Sequence, residues 1–307
     1  MAEAAPLASS ESVALTHAPP YRIPLLGLGV YENPQPHDAV LAALSAGYRH
    51  LDTAQIYRNE AGTGTAVTDF LAANPSIKRS DIFICTKLWE TYIDGQGVID
   101  DNTPIFTRAG AIEGFQRSLD ALGPGIEYID LYLLHTPRPG PTARLEAWLG
   151  LQEVFETSGG KARALGVSNW SKAHIEQLVA HPDVRIMPAA NQIEFHPWYQ
   201  QRALVEYCQQ KGIVVVAYSP LTRGVRLGDP VIKQVAEKYG KTPAQVVLRW
   251  CLQRGVVVIP KSGREERIRE NKGLWGWELA QEDVARIADL DEGTEGRQGG
   301  WDLDAWE

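Results

Sequence analysis

Residues 47–60 read GYRHLDTAQIYRNE, and the fold and chemistry of the chain can be worked out from this stretch. A short strand-like run ends there on the carboxylate of Asp52, and Tyr57 follows five residues later, in the connection to a helix. Two later apolar runs end in the same way, IFICT before Lys87 and IDLYLL before His135. A polar residue after a single strand marks only where the chain meets water. Together, a carboxylate, a phenol, a cation and an imidazole form a set suited to acid and base chemistry.

Composition limits the classes of protein to which the chain can belong. Its 307 residues, 44% of them apolar, fit one barrel domain over residues 1–307. A formal charge of −8 disfavours nucleic-acid and anionic-membrane partners. No run approaches the roughly 18 apolar residues of a membrane span, and the first residues lack the basic start of a secretory signal, which favours a cytoplasmic location. Three separated cysteines, Cys85, Cys208 and Cys251, predict buried thiols in a reducing compartment and no metal site.

Strand-like and helix-like segments alternate along the chain. A polar tail, residues 1–20, and a hairpin closing near Tyr21 precede the run PLLGLG, the first predicted buried strand. Seven more strands are predicted near residues 48–52, 82–87, 129–135, 163–168, 188–194, 213–218 and 256–260, with helices between them. Continuous apolar runs such as GIVVVAYS suit parallel strands covered on both faces. Eight such units predict an α/β fold, a closed (β/α)8 TIM barrel with an N-terminal β-hairpin and extra C-terminal helices and loops.

The ends of the helices support this prediction. Thr242-Pro243-Ala244-Gln245 has the pattern of a capped helix start, and Asp229-Pro230 begins the preceding helix. Two segments interrupt the alternation, residues 90–108 and the irregular C-terminal loop 291–307. Because long irregular connections in compact domains are commonly functional, both are candidate substrate-covering loops.

In a (β/α)8 barrel the carboxyl ends of the strands meet at one mouth, where the active site lies. The chain places a series of polar side chains at or near these ends. They are Asp52, Lys87, His135, Ser168, Asn169, Gln192, Tyr218 and Lys261. The alternative is that Asp52 and Lys87 form a structural ion pair at the rim and that Tyr57 is an exposed loop phenol.

The sequence resembles the aldo-keto reductases over residues 23–290. Besides residues 47–60, the resemblance rests on GLGVY (27–31), TKLW (86–89), DLYLLHTP (130–137), GVSNW (166–170), NQIEFHP (191–197), AYSPL (217–221) and IPKSGREERIREN (259–271). The resemblance implies NADPH-dependent reduction of an aldehyde or ketone to an alcohol, with Asp52, Tyr57, Lys87 and His135 as the catalytic residues.

These residue types suit the reaction. A carbonyl oxygen that gains negative charge needs a proton donor, and a phenol with a pKa of about 10 is a weak one at neutral pH. Lys87 beside Tyr57 is expected to lower the pKa of the phenol, and Asp52 to keep the lysine charged. His135 would hydrogen-bond the substrate oxygen and orient it.

The resemblance also implies how NADPH or NADP+ is held. Gly29, Val30, Tyr31 and Asp52 lie along the cofactor. Ser168, Asn169 and Gln192 hold the carboxamide, and Tyr218 stacks on the nicotinamide ring. Ser219, Pro220 and Leu221 follow the pyrophosphate. Lys261, Ser262, Gly263, Arg264 and Arg267 surround the 2′-phosphate, with Glu270 and Asn271 on the adenine.

The region around residue 262 gives independent support for a phosphate site. Ser262-Gly263-Arg264-Glu265 has the pattern of a capping box, which would present a helix start to an anion beside Lys261, Arg264 and Arg267. In the alternative, Ser262 only caps its helix and the arginines pair with Glu265, Glu266 or Glu270. Gly62-Thr63-Gly64 lies in a predicted helix and is a weak match to a dinucleotide-binding glycine loop.

The predicted substrate pocket is wide, because Thr136 stands where many family members carry tryptophan. Its predicted lining is Tyr31, Tyr57, Trp89, His135, Thr136 and Trp170, with Val30 and Trp198 close by. Two other functions stay open, an NADP-binding regulatory subunit on the same barrel and an unrelated barrel enzyme such as an isomerase or a metal-dependent hydrolase. A monomer is expected, because a closed barrel leaves no free sheet edge.

Overall fold

The structure, a computed structural model, describes residues 11–93 and 99–299. Three predicted features therefore lie partly outside the described residues. They are the tail at residues 1–10, the middle of the 90–108 insertion at residues 94–98, and the end of the C-terminal loop at residues 300–307.

Two antiparallel ladders flank the central sheet. The N-terminal hairpin pairs β1 (Ser12–Ala14) with β2 (Arg22–Pro24), as predicted. The second ladder lies in the insertion, where β6 (Thr91–Ile93) pairs with β7 (Ile99–Pro104). The sequence predicted only an irregular loop there, because the strands are short and polar and lack apolar alternation.

Eight parallel strands form the central sheet in the order of the chain. They are β3 (Leu28–Gly29), β4 (His50–Asp52), β5 (Phe83–Leu88), β8 (Leu131–Leu134), β9 (Leu165–Ser168), β10 (Ala190–Glu194), β11 (Val214–Tyr218) and β12 (Val257–Val258). The sheet closes on itself where Leu26 bridges Val258 and Gly29 bridges Lys261, both in parallel. The predicted (β/α)8 barrel is therefore confirmed, although the first strand is shorter than the run PLLGLG suggested.

Ten α-helices surround the barrel in the described part of the chain. They are α1 (Pro36–Ser45), α2 (Glu60–Ala73), α3 (Arg108–Leu122), α4 (Gly140–Thr157), α5 (Lys172–Val179), α6 (Arg202–Gln210), α7 (Pro230–Tyr239), α8 (Pro243–Gln253), α9 (Glu265–Asn271) and α10 (Gln281–Ala288). Short 3-10 turns cover Gln55–Tyr57, Arg79–Asp81, Thr222–Gly224 and Gly293–Gly296. None of the helices in residues 11–93 and 99–299 is long and apolar enough to cross a membrane.

The buried apolar residues form two layers. The larger lies between the strands and the helices, and includes Trp148, Trp250 and Cys251. The smaller joins inward-facing strand residues such as Leu133 and Val216 to Leu15 of the hairpin, so the hairpin plugs the amino-terminal end of the barrel. All three cysteines are buried and free, as predicted.

Two of the predicted helix starts are confirmed and one is wrong. Thr242 accepts a hydrogen bond from the backbone of Gln245 in a capping box, and Asp229 caps α7. Ser262 does not cap α9. Its hydroxyl accepts from the backbone N–H of Arg264, only two residues on, in a local turn, and the helix starts after that residue.

Candidate active site

Lys87 is the centre of the predicted catalytic group. Its side chain is fully buried, and Nζ donates to Asp52 Oδ1 at 2.8 Å and to the backbone oxygen of Thr53 at 2.7 Å. The same Nζ lies 3.5 Å from the Tyr57 hydroxyl. Strands β4 and β5 are neighbours in the sheet, which is why Asp52 and Lys87, at or next to their carboxyl ends, meet. The amine is thus held by three oxygens, one of them the predicted acid.

Tyr57 ends the 3-10 turn that follows β4, and its ring stands among aromatic neighbours. The ring of His135 lies 5.7 Å away and that of Tyr31 4.9 Å away, both edge to face. Trp89 packs against the other side of His135, with 5.1 Å between ring centroids. The structure therefore brings together Asp52, Tyr57, Lys87 and His135 at the mouth of the barrel.

Burial dominates the protonation of this group. Burial opposes the charge of Lys87, but Asp52, Tyr57 and Cys85 together outweigh it, and the pKa of the lysine rises above its usual value. Burial also raises the pKa of Tyr57, to about 12, and Lys87 offsets only part of that rise. Lys87 therefore acts in the expected direction and lowers the pKa of the phenol, but burial is the larger effect and the net shift is upward. Burial, followed by the charge of Lys87, lowers the pKa of His135 well below 6.5, so its imidazole is neutral.

The residues predicted to hold the carboxamide belong to the same hydrogen-bonded network. Gln192 Nε2 donates to Asp52 Oδ2 at 2.7 Å, and Ser168 Oγ donates to the backbone oxygen of Gln192 at 2.9 Å. Asn169 Nδ2 donates to the backbone oxygen of His135 at 3.1 Å, and Tyr218 donates to Asn169 Oδ1 at 2.9 Å. The ends of β4, β9, β10 and β11 are thereby joined to the catalytic group.

The predicted phosphate residues lie beyond β12. Lys261, Arg264 and Arg267 are exposed, and none forms an ion pair within residues 11–93 and 99–299. The alternative pairing with Glu265, Glu266 or Glu270 is not what the structure shows, because Glu265 pairs with Arg269 at 2.7 Å instead. Three uncompensated cations on one short segment suit a phosphate group.

The remaining predicted cofactor residues lie on three further segments. Gly29 ends the first barrel strand, Val30 and Tyr31 follow it, and Tyr31 is 45% exposed. Residues 219–221 follow β11, and Ser219 has a left-handed backbone (φ 49°). Near the end of α9, Asn271 is buried, and the backbone oxygen of Glu270 accepts from Gln245 Nε2 at 2.9 Å.

Three of the residues predicted at the pocket, Thr136, Trp170 and Trp198, are buried and contact other parts of the protein. Thr136 is fully buried, and its hydroxyl donates to Glu90 Oε2 at 2.6 Å, while Glu90 also pairs with Arg138. Trp170 is fully buried in a cleft between α4 and α5, with its ring 6.1 Å from that of His174. The structure therefore does not bring Trp170 to the cluster around Tyr57. Trp198 is likewise buried, with Nε1 3.3 Å from Asp229 Oδ2.

Sequence reasoning missed Gln55. Its Nε2 donates to the backbone oxygen of Gly114 at 2.8 Å and lies 3.0 Å from Ser118 Oγ and 3.2 Å from the Tyr132 hydroxyl. Its Oε1 accepts from the backbone N–H of Trp89 at 3.0 Å. The amide therefore ties the turn of Tyr57 to α3, to β8 and to the wall of the pocket. Its place two residues before Tyr57 was the only available signal.

Glu194 was also missed. Its buried carboxylate accepts from the backbone N–H groups of Gln298 at 2.6 Å and Gly299 at 2.7 Å, and from His196 Nε2 at 2.9 Å. The last described residues are thus anchored at the end of β10. No group of three or more potential metal ligands occurs in the described part of the chain.

Comparison with known proteins agrees with the geometry. The family model for the Aldo/keto reductase family matches residues 26–231 and 226–292. A glyoxal reductase of Bacillus subtilis is 40% identical over 268 residues, which cover 86% of this chain and 88% of the relative. A 9,11-endoperoxide prostaglandin H2 reductase of Trypanosoma cruzi is 38% identical over 277 residues, which cover 88% and 89%.

Solved structures give the same result. The crystal structure of an aldo-keto reductase enzyme from a Medee basin deep-sea metagenome library superposes with a TM-score of 0.82. It is 33% identical and covers 96% of this chain and 99% of that one. An aldo/keto reductase from Brucella melitensis, 37% identical, gives a TM-score of 0.78 over 91% and 99%. With these matches and the intact group around Lys87, the chain belongs to the aldo/keto reductase family of oxidoreductases.

Proposed function

We propose that this protein reduces the carbonyl of an aldehyde or ketone to an alcohol with NADPH, and that Tyr57 is the general acid. The observation that carries the proposal is the buried Lys87 amine, held by Asp52 and 3.5 Å from the Tyr57 hydroxyl. This arrangement suits a phenol that must give up a proton and leave a stabilised anion.

NADPH, when bound, would supply the hydride that the carbonyl carbon accepts. As negative charge grows on the carbonyl oxygen, Tyr57 donates its phenolic proton to that oxygen, which completes the alcohol. The phenolate left behind faces the Lys87 ammonium, and Asp52 keeps the amine charged and in place. His135 is neutral, so its imidazole can hydrogen-bond the substrate oxygen without adding charge.

The residues present fit the cofactor. Ser168, Asn169 and Gln192 provide donors and acceptors for a carboxamide, and Tyr218 stands at the end of the adjacent strand. The cations of Lys261, Arg264 and Arg267 favour NADPH over NADH, which has no 2′-phosphate. Three buried, free thiols are consistent with a reducing, cytoplasmic setting.

The test is NADPH oxidation followed at 340 nm with aromatic aldehydes, aliphatic aldehydes, α-dicarbonyls and bulky ketones. Tyr57→Phe should abolish turnover, because the ring stays but the proton donor is removed, while the Kd for NADPH stays unchanged. Loss of NADPH binding in this variant would refute the assigned role. If the wild type binds NADPH but turns over none of the panel, the proposed reductase activity loses its support.

A further inference from the structure

A buried carboxylate lies beside the candidate active site, directly after Trp89. Glu90 is 7% exposed. Its Oε2 accepts from the Thr136 hydroxyl at 2.6 Å, and its Oε1 pairs with Nη2 of Arg138. The Thr136 hydroxyl also accepts from the backbone N–H of Arg138 at 3.0 Å. The proposed reaction assigns no step to any of these three side chains.

The imidazole of His135 is positioned by packing. Its Nδ1 is buried and has no hydrogen-bond partner in residues 11–93 and 99–299. A hydrogen bond at one ring nitrogen is the usual way in which a functional imidazole is oriented. Here the rings of Tyr57 and Trp89 flank the imidazole edge to face, with centroids 5.7 Å and 5.1 Å away. The orientation of the imidazole therefore depends on where the Trp89 ring lies.

Arg138 covers the ring of Trp89. Its guanidinium carbon lies 5.4 Å from the ring centroid, within the range of a cation–π contact. The Arg138 side chain is 41% exposed, so leaving the ring would return rotamer freedom to it. Its ion pair with Glu90 opposes this, because a buried carboxylate that loses its counter-charge carries a large free-energy cost. Glu90 therefore holds the cation against the tryptophan that flanks His135.

Glu90 is also the residue at which the insertion leaves the barrel. Its backbone oxygen accepts from the N–H of Ile105 at 2.9 Å, at the base of the ladder formed by β6 and β7. Its side chain contacts Thr136 and Arg138, which lie between β8 and α4. One residue thus joins the base of the insertion to the connection that follows His135.

We propose that Glu90 is a positioning residue, which holds the rings of Trp89 and His135 in place for carbonyl reduction through Arg138 and Thr136. This inference rests on the proposed function, in which His135 orients the substrate oxygen. The alternative is an ion pair that only stabilises the loop. Loss of such a pair would lower the Tm and leave the kcat of the folded protein unchanged.

The first test is steady-state reduction, by the full chain, of an aldehyde that the wild type accepts. Glu90→Gln keeps the size of the side chain but removes the charge that pairs with Arg138. Because a displacement of about 1 Å at a reacting group costs on the order of 10²-fold in rate, kcat should fall about 10- to 100-fold, with an unchanged Kd for NADPH. Glu153→Gln makes the same change in the largely exposed pair with Arg108, at 3.0 Å, and should keep the wild-type kcat. An unchanged kcat in folded Glu90→Gln would overturn the proposal.

Arg138→Met tests whether the carboxylate acts through the cation. Its half-exposed position makes this variant usable even where Glu90→Gln does not fold. Its kcat should fall by a similar factor, and the double variant should be no slower than the slower single one, because residues that act as a unit are not additive. A wild-type kcat in Arg138→Met, or two losses that multiply in the double variant, would refute the coupling and with it the proposal.

A third measurement needs no turnover, and so separates failure of this inference from failure of the proposed function. The ring protons of His135, assigned by their absence in His135→Asn, lie in the ring current of Trp89. Their NMR chemical shifts should change in Glu90→Gln and in Arg138→Met, and should match the wild type in Glu153→Gln. Wild-type shifts in all three variants would refute the positioning role whatever the activity. Shifts that respond in a wild type and variants without turnover would support the positioning of the ring and refute the proposed reductase activity.

Discussion

Tyr57 keeps its proton in this structure because burial raises its pKa to about 12. The phenol therefore stays protonated throughout the physiological range, which a reductase that donates this proton requires. In the proposed reaction Lys87 would act later, because its ammonium stabilises the phenolate once that anion has formed. The lysine Nζ lies 3.5 Å from the hydroxyl, at the long end of the hydrogen-bonding range.

Glu60, three residues after Tyr57, should make stability depend on pH. Burial raises the pKa of this carboxyl from 4.5 to about 7, and hydrogen bonds from Thr86, at 2.6 Å, and Ser118 offset only part of the rise. Because the folded state holds the proton more tightly than the unfolded state, the favourable contribution is complete below pH 4.5 and is lost as pH rises through 7. The loss amounts to about 3 kcal/mol.

The measurement is the free energy of unfolding in urea at several pH values between 4.5 and 7.5. Glu60→Gln has no proton to lose, so over this range the difference between the two proteins should move in favour of the variant by up to about 3 kcal/mol. Glu127→Gln, an exposed position, is the control and should track the wild type. A constant difference across the range would show that Glu60 ionises normally.

At the scale of elements, the turn Gln55–Tyr57 is held by one amide. Gln55→Met keeps the length of the side chain but removes the bonds to α3, to β8 and to the Trp89 backbone. Because a displacement of about 1 Å at a reacting group costs on the order of 10²-fold in rate, kcat should fall to that extent while the Kd for NADPH is unchanged. Gln116→Met, at an exposed position on α3 where the amide donates to Asp120, is the control. An unchanged kcat would show that the turn holds its position without this amide.

The sequence predicted the functional residues at the strand ends better than it predicted the side chains that hold them in place. Asp52, Lys87 and His135 each end an apolar run, and parallel strands bring such ends together whatever the loops do. The partners of Gln55 are 34 to 77 residues away, on elements whose relative position only the folded chain defines. Ser262 shows that a local pattern can also mislead. Its sequence suits a capping box, but its hydroxyl accepts from the backbone N–H of Arg264, two residues on, and not from the third residue as a capping box requires.

The segment before and within α9 should decide the choice of cofactor. Arg267→Ser removes one of the three cations that have no carboxylate partner in the described part of the chain. Since a hydrogen bond to a charged group is worth about 1.5–3 kcal/mol, the KM for NADPH should rise on the order of tenfold or more while that for NADH barely changes. Arg269→Ser, on the same helix but paired with Glu265, is the control. Equal effects on both cofactors would place the 2′-phosphate elsewhere.

For the whole molecule, the alternation of strands and helices predicted the barrel, and the contacts that close it could not be predicted. Apolar runs predicted both strands of the seam, β3 and β12, but not which of their residues would bridge across it. The anchoring of the C-terminal segment by Glu194 is a long-range feature of the same kind, and the insertion hairpin is a local one without apolar alternation. Each depends on polar or backbone contacts, and the pattern of apolar residues carries no information about these.

The seam should be sensitive to added volume. Gly29 packs so closely that a Cβ would lie 2.9 Å from the backbone oxygen of Ile259, which cannot move without separating the strands. Gly29→Ala should therefore cost about 1–3 kcal/mol and lower the Tm by several degrees. Gly228→Ala, where no atom lies within 4 Å of the added carbon, should leave the Tm unchanged. If both variants have the Tm of the wild type, packing at this seam is loose enough to accept a methyl group. The short strands β3 and β12 would then be held in place by the surrounding helices rather than by each other.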